Sequence, residues 1–147
     1  MFKIYIDRLE GDRTEKINIT TDSAFLDINE KELCFNDSVA IRGQAEMQND
    51  FLILRLQIET VYESICSVCN RLTKQKLILK NCNFCIPRSD IKQAAFDFQD
   101  LARQAILLEI PAFLECNEGN CKERKNVEQF TKKPKGDTHF PFANLRR

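Results

Sequence analysis

Thiolate is the chemistry this chain offers in quantity. Its seven cysteines include three close pairs, Cys66-Ser67-Val68-Cys69, Cys82-Asn83-Phe84-Cys85 and Cys116-Asn117-Glu118-Gly119-Asn120-Cys121, with Cys34 standing alone. In a reducing compartment such clusters read as metal ligands or redox groups before disulfides, and an odd count cannot close wholly into internal disulfides. A C-x-x-C on a tight turn lets two thiolates converge on one tetrahedral zinc ion, which needs two more ligands from elsewhere. Cys82 and Cys85 complete a C-x2-C-x12-C-x2-C spacing, close to that of a zinc ribbon. They follow a predicted strand directly, however, and residues three apart on a strand point to opposite faces. Cys116 and Cys121 lie in a polar segment with a glycine, where the chain is free to fold back around an ion. Spacing favours the first pair of partners, and local structure favours the second. Burial as small apolar side chains is the plainer reading of Cys34, Cys82 and Cys85.

Other catalytic constellations are thin. His139 is the sole histidine and only four glycines are present. No Ser–His–Asp set, phosphate-cradling glycine loop or paired-carboxylate arrangement stands out, and the usual general base is nearly missing. A thioredoxin-type role for Cys66 and Cys69 would have that motif open a helix after a strand, whereas strands are predicted on both sides of it.

The elements that must position these groups can be read from periodicity. Phe2, Ile4 and Ile6 alternate with Lys3, Tyr5 and Asp7 and predict a first strand, and Ile17 and Ile19 continue the pattern. Residues 21–37 show no clear period. Val39, Ile41, Gly43, Ala45 and Met47, then Leu52, Leu54, Leu56, Ile58 and Tyr62, form two period-2 runs around Gln48-Asn49-Asp50. They predict antiparallel strands with one buried face. A further strand is expected over about residues 72–80, with Leu77 and Leu79 opposed to Lys76, Ile78 and Lys80, which places Cys66 and Cys69 at a hairpin tip. Phe98, Leu101, Ala102, Ala105 and Leu108 fall at helical spacing. Asp97 can cap that helix, Asp100 favours its positive end, and Pro111 stops it. Beyond Pro111 the chain reads as loop. From Cys121 it becomes a basic, partly extended tail with a hydrophobic anchor, His139 to Leu145, near its end.

With 147 residues, 43% hydrophobic and 30% charged, the composition is that of a soluble globular protein with room for one core. No window approaches about 18 consecutive apolar residues. The opening MFKIYIDRLEGDRTEK meets acidic charge too early for a secretory signal, so a cytoplasmic location is expected. Formal net charge is zero, which argues against a generic nucleic-acid binder. The zero conceals segregation: residues 1–64 carry −6, 65–92 carry +5, 93–120 carry −4 and 121–147 carry +5. The basic blocks adjoin cysteine pairs.

One order of features resembles a known family. A Gly ahead of a strand leads to C-x-x-C (Gly43 to Cys66 and Cys69). An Asp-Leu-initiated helix ends in Leu-x-Ile-Pro (Asp100-Leu101 to Leu108-Glu109-Ile110-Pro111). Spaced cysteines follow (Cys116, Cys121), and the chain closes on Pro-Phe-Ala-x-Leu (Pro141 to Leu145). Over about residues 36–147 this is similar to the YceD family, the large ribosomal RNA subunit accumulation proteins of bacteria and plastids. The resemblance implies a non-catalytic factor that promotes accumulation of large-subunit ribosomal RNA. It also implies a structural zinc on Cys66, Cys69, Cys116 and Cys121. The tail departs from family versions that carry further cysteines after the second pair.

The expected fold is α+β: an antiparallel, strongly twisted or barrel-like sheet, one main C-terminal helix and zinc-clasped loops. Residues 1–121 form a single β-rich domain with its helix at about 98–110. Residues 122–147 form a basic tail packing back through Phe140, Phe142 and Leu145. The expected partners are large-subunit ribosomal RNA, a large-subunit ribosomal protein, or both, with no membrane and no small-molecule substrate. RNA contact would run through Arg71, Lys74, Lys76, Lys80, Lys122, Arg124, Lys125, Lys132, Lys133 and Lys135. The rival readings are a protein-interaction module with a structural zinc, docking through its acidic half, and a thiol-redox protein using Cys66 and Cys69.

Overall fold

The computed structural model describes residues 1–131, and it is a mixed α/β fold with antiparallel sheets and a few helices. The two long alternating runs make its frame. Strands β4 (Val39–Gln48) and β5 (Phe51–Ile65) pair in register from Ala40 opposite Glu59 to Gln48 opposite Phe51. Asn49 and Asp50 both take left-handed φ, 48° and 63°. That is the two-residue turn whose twist matches the flanking strands, and Asn and Asp tolerate it better than most residues.

On its other edge β5 pairs with β6 (Leu72–Pro87), from Ile65 opposite Leu72 to Phe51 opposite Pro87. Strand β2 (Thr14–Thr21) extends the sheet beyond β4. The aperiodic stretch supplies a 3-10 turn, Ser23–Leu26, and the short β3 (Leu33–Cys34), which pairs with Glu63 and Ser64 of β5. Among the described residues no ladder joins β2 to β6, so the pairing is that of an open sheet. The first predicted strand is shorter than its pattern: β1 (Lys3–Tyr5) gives way to a 3-10 turn, Ile6–Leu9. With β7 (Ala95–Asp97) it forms a second, two-stranded sheet.

The core is the inward set of the alternation. Ile41, Ala45, Leu52, Leu54, Leu56 and Ile58 are buried and join Ile4, Leu9, Leu26 and Phe98 in one cluster. Gly43 shares that face for a steric reason: a Cβ there would collide with the backbone carbonyl of Arg55 on β5. Strand β6 contains an irregularity. Lys80 and Asn81 together stand opposite Gln57, between the pairs Ile58–Leu79 and Leu56–Cys82. Such a bulge shifts the side-chain period by one. Leu77 and Leu79 face inward before it, and Cys82, Phe84 and Ile86 pack against the core after it. The strand therefore runs well past the end expected near Lys80, because a broken alternation conceals its second half.

Helix α1 (Gln99–Glu109) starts as expected, with Asp97 Oδ1 accepting the Gln99 N–H at 3.0 Å. It ends ahead of Pro111. Its buried stripe is Phe98, Ala102 and Ile106. Leu108, expected on that stripe, is 85% exposed. Two residues past Ile106, it is carried about 200° around a helix of 3.6 residues per turn. Part of the expected extended tail is also helical, over Arg124–Thr131. The anchor His139 to Leu145 lies outside the described residues. Among those described, no helix is long and apolar enough to cross a membrane.

Truncating Ile106 to Ala removes a wholly buried side chain and should cost about 2–5 kcal/mol. Leu108→Ala should stay within about 0.5 kcal/mol of the parent. Urea denaturation checks both, and similar midpoint shifts for the two variants would contradict this packing.

Candidate metal centre

The β5–β6 connection is short and shaped by backbone hydrogen bonds. Cys66 follows the last residue of β5. Its N–H donates to the Arg71 carbonyl at 2.8 Å, and its carbonyl accepts the Asn70 N–H at 2.9 Å. Asn70 takes left-handed φ, 58°. The chain thus reverses within a few residues and turns both thiols the same way. The Val68 N–H also points at the Cys66 sulfur, at 3.4 Å.

The second pair is carried by the segment after α1. Ser67 N–H donates to the Leu114 carbonyl at 2.7 Å, which ties that segment to the hairpin tip. Asn117, Glu118 and Gly119 take left-handed φ in succession, 55°, 53° and 86°. This tight reversal folds Cys121 back toward Cys116, and Asn120 N–H donates to the Asn117 carbonyl at 3.0 Å within it. Glu115 braces the loop. Its Oε1 accepts the Cys121 N–H at 3.0 Å and Arg124 Nε at 2.9 Å, and its Oε2 accepts from Arg124 Nη2. The Arg124 guanidinium, with the Cys121 amide, holds the Glu115 carboxyl down at about 2.

The two pairs meet. The sulfurs of Cys66, Cys69, Cys116 and Cys121 all lie within 4.8 Å of one another. Cys69 and Cys116 sulfurs are 3.7 Å apart, too far for a disulfide bond of about 2.05 Å. A tetrahedral ion with metal–sulfur bonds of about 2.3 Å places its sulfurs about 3.8 Å apart. The four cysteines are therefore compatible with a metal ion such as zinc. Cys66 and Cys121 are buried and the other two half-buried, so such an ion would be largely shielded from water.

The local field favours the thiolate at Cys66 and the thiol at Cys116 and Cys121. Burial pushes the Cys66 thiol up. The amides of Cys116, Cys69 and Val68, together with the Cys69 side chain, outweigh burial and bring it to about 6. The Cys116 N–H to Cys66 sulfur distance is 3.3 Å. Cys116 is pushed up to about 12, first by its hydrogen bond with Cys121, then by burial and its contacts with Cys69 and Cys66. Burial raises Cys121 as well. Four thiolates this close repel one another, so a divalent cation at their centre relieves the repulsion that holds protons on them.

The spacing alternative does not assemble among these residues. Cys82 faces the core opposite Leu56, and Cys85 is exposed on the other face opposite Ile53. Burial raises the Cys82 thiol further, which suits packing rather than ligation. Cys34 is half-buried, with its thiol donating to the Glu30 carbonyl at 3.4 Å.

The expected basic residues are dispersed. Arg71 and Lys122 line a recess of about 380 Å³ beside Cys69, Cys116 and Cys121. Lys74 pairs with Asp37 at 2.8 Å and Lys76 with Glu59 at 3.8 Å. Lys80 sits in the β6 bulge. Arg124 is committed to Glu115, and Lys125 lies on the exposed helix after the second cysteine pair. Lys132, Lys133 and Lys135 lie outside the described residues. Sequence reasoning missed Glu115. The available signal was its place beside one cysteine, with an arginine just beyond the other. No protein-family model matches the chain, and neither does a curated protein or a solved structure.

Cys66→Ser should destabilise the metal-loaded protein more than Cys34→Ser. The first removes a buried ligand at the junction of two segments, and metal affinity is linked to folding. The second alters a half-buried side chain on a two-residue strand. Equal shifts in melting temperature would argue against a bound metal that couples these segments.

Proposed function

We propose that this protein is a non-catalytic, zinc-stabilised RNA-binding factor of the YceD type that promotes accumulation of large-subunit ribosomal RNA in the cytoplasm. The observation that supports it most is the meeting of Cys66 and Cys69 with Cys116 and Cys121. Those are the four residues that the family resemblance implies as ligands, and the C-x2-C-x12-C-x2-C spacing does not select them.

In this reading the zinc is structural. It clasps the β5–β6 tip to the segment following α1, and the thiols are ligands rather than catalysts. An open, strongly twisted sheet with α1 as its principal helix serves as the scaffold. RNA contact uses the lysines and arginines flanking the two cysteine pairs, Arg71 and Lys122 beside the thiols and the tail residues Lys132, Lys133 and Lys135. A basic large-subunit ribosomal protein docks on the acidic N-terminal half.

Protein purified without chelator should hold one zinc per chain by elemental analysis, and large-subunit RNA fragments should bind it with a steep salt dependence. Replacing Lys132, Lys133 and Lys135 with Glu should weaken that binding. It should also flatten the log–log salt slope by roughly 0.7 for every single-strand phosphate left without its cation. Metal-free protein with a reversible Cys66–Cys69 disulfide would instead support the thiol-redox reading. Crosslinking in cells that yields only protein adducts would favour the interaction module.

A further inference from the structure

On the face of the larger sheet opposite the core, the register gathers four cations that are remote in sequence. Lys16 of β2, Gln44 of β4, Arg55 of β5 and Asn83 of β6 form one cross-strand row. Asn18, Arg42 and Gln57 form the next, and the bulge sets Lys80 and Asn81 opposite Gln57. All of these side chains are exposed. They line a shallow groove of about 610 Å³ whose lining includes no carboxylate and no aromatic ring.

The neighbouring cations on this sheet are neutralised. Lys76 pairs with Glu59 and Lys74 with Asp37, and of the four cations in the groove Arg55 alone is paired, with Glu46. Lys16, Arg42 and Lys80 have no ion-pair partner among the described residues. The centre of the face therefore stays positive while its surroundings are balanced, in a chain whose net charge is zero.

We propose that this groove binds the backbone of an RNA helix, a site that deepens the RNA-binding reading above and rests on it. Three features argue for a helix. The cations suit phosphates, which dominate such interfaces. The Asn and Gln amides can both donate to and accept from ribose 2′-hydroxyls, which an RNA helix displays across its wide, shallow minor groove. With no aromatic ring in the groove, unpaired bases would find nothing to stack on, so a single strand gains little there. Each row spans three strand spacings, about 14 Å, enough to meet phosphates on both sides of a helical groove.

The test is the full-length, metal-loaded protein carrying Lys16→Gln, Arg42→Gln and Lys80→Gln together, all exposed sites, with an unchanged melting temperature as the folding control. Binding to an RNA duplex of about 16 base pairs is followed by fluorescence anisotropy across a salt series, beside a matched DNA duplex and a single RNA strand. The substitutions should lower RNA-duplex affinity at least tenfold at low salt. They should also reduce the log–log salt slope by about 0.9 per contacting cation, taking the value for duplex DNA. Both the DNA duplex and the single strand should bind more weakly than the RNA duplex. Unchanged affinity and slope, with wild-type binding intact, would overturn the groove alone. Tighter binding of the single strand, or equal binding of the DNA duplex, would overturn its assignment to an RNA helix. A wild-type protein that binds no RNA would overturn the groove and the functional reading together.

Discussion

Strand β5 is hydrogen-bonded along both edges, and most of the larger sheet hangs on that fact. It pairs with β4 and β3 on one side and with β6 on the other. Fifteen residues long, it exceeds the usual three to ten. A strand of that length is stable only when both edges are satisfied and one face is buried, and the run from Leu52 to Ile58 meets both conditions. Its end sets the place of Cys66. The ladder closes at Ile65 opposite Leu72, and the next residue is already a buried thiol. The position of that sulfur is thus an extension of sheet register, and the segment after α1 has to come to it.

The parts of this arrangement legible in the sequence are those governed by an unbroken period. The β4–β5 hairpin, with its polar turn, and the helix over Gln99–Glu109 follow from alternation, helical spacing and the Asp97 and Pro111 punctuation. Legibility fails where periodicity breaks or where the decisive groups are main-chain atoms. A bulge hides the second half of β6. Helical spacing puts Leu108 on the buried stripe, whereas Ile106, unremarked in sequence, occupies it.

The thiol site shows the same division. Counting residues between cysteines favours Cys82 and Cys85, and strand geometry disqualifies them by placing one on each face. The amides that lower the Cys66 thiol belong to Val68, Cys69 and Cys116. A backbone N–H carries no residue-specific signature, so nothing in a string of letters marks it. The left-handed run Asn117-Glu118-Gly119 is half visible, since Asn and Gly are expected in that region and Glu is not. Charge behaves likewise. Lys16, Arg42, Arg55 and Lys80 sit in segments of opposite net sign, and only cross-strand register makes neighbours of them.

The bulge at Lys80 and Asn81 acts on β6 as a frame shift acts on a reading frame. Upstream of it, odd-numbered residues are inside, and downstream the even-numbered ones are. The strand's two halves keep the same inward face only because the bulge absorbs the extra residue, setting both Lys80 and Asn81 opposite Gln57. Loss of either Lys80 or Asn81 would restore regular pairing opposite Gln57 and leave Cys82, Phe84 and Ile86 inward, opposite Leu56, Leu54 and Leu52, so that the whole strand would read as one unbroken alternation. In length variation, then, this strand is asymmetric: the bulge can lose one of its two residues with both halves still facing the core, whereas loss of one residue elsewhere in its middle would set at least one side chain on the wrong face.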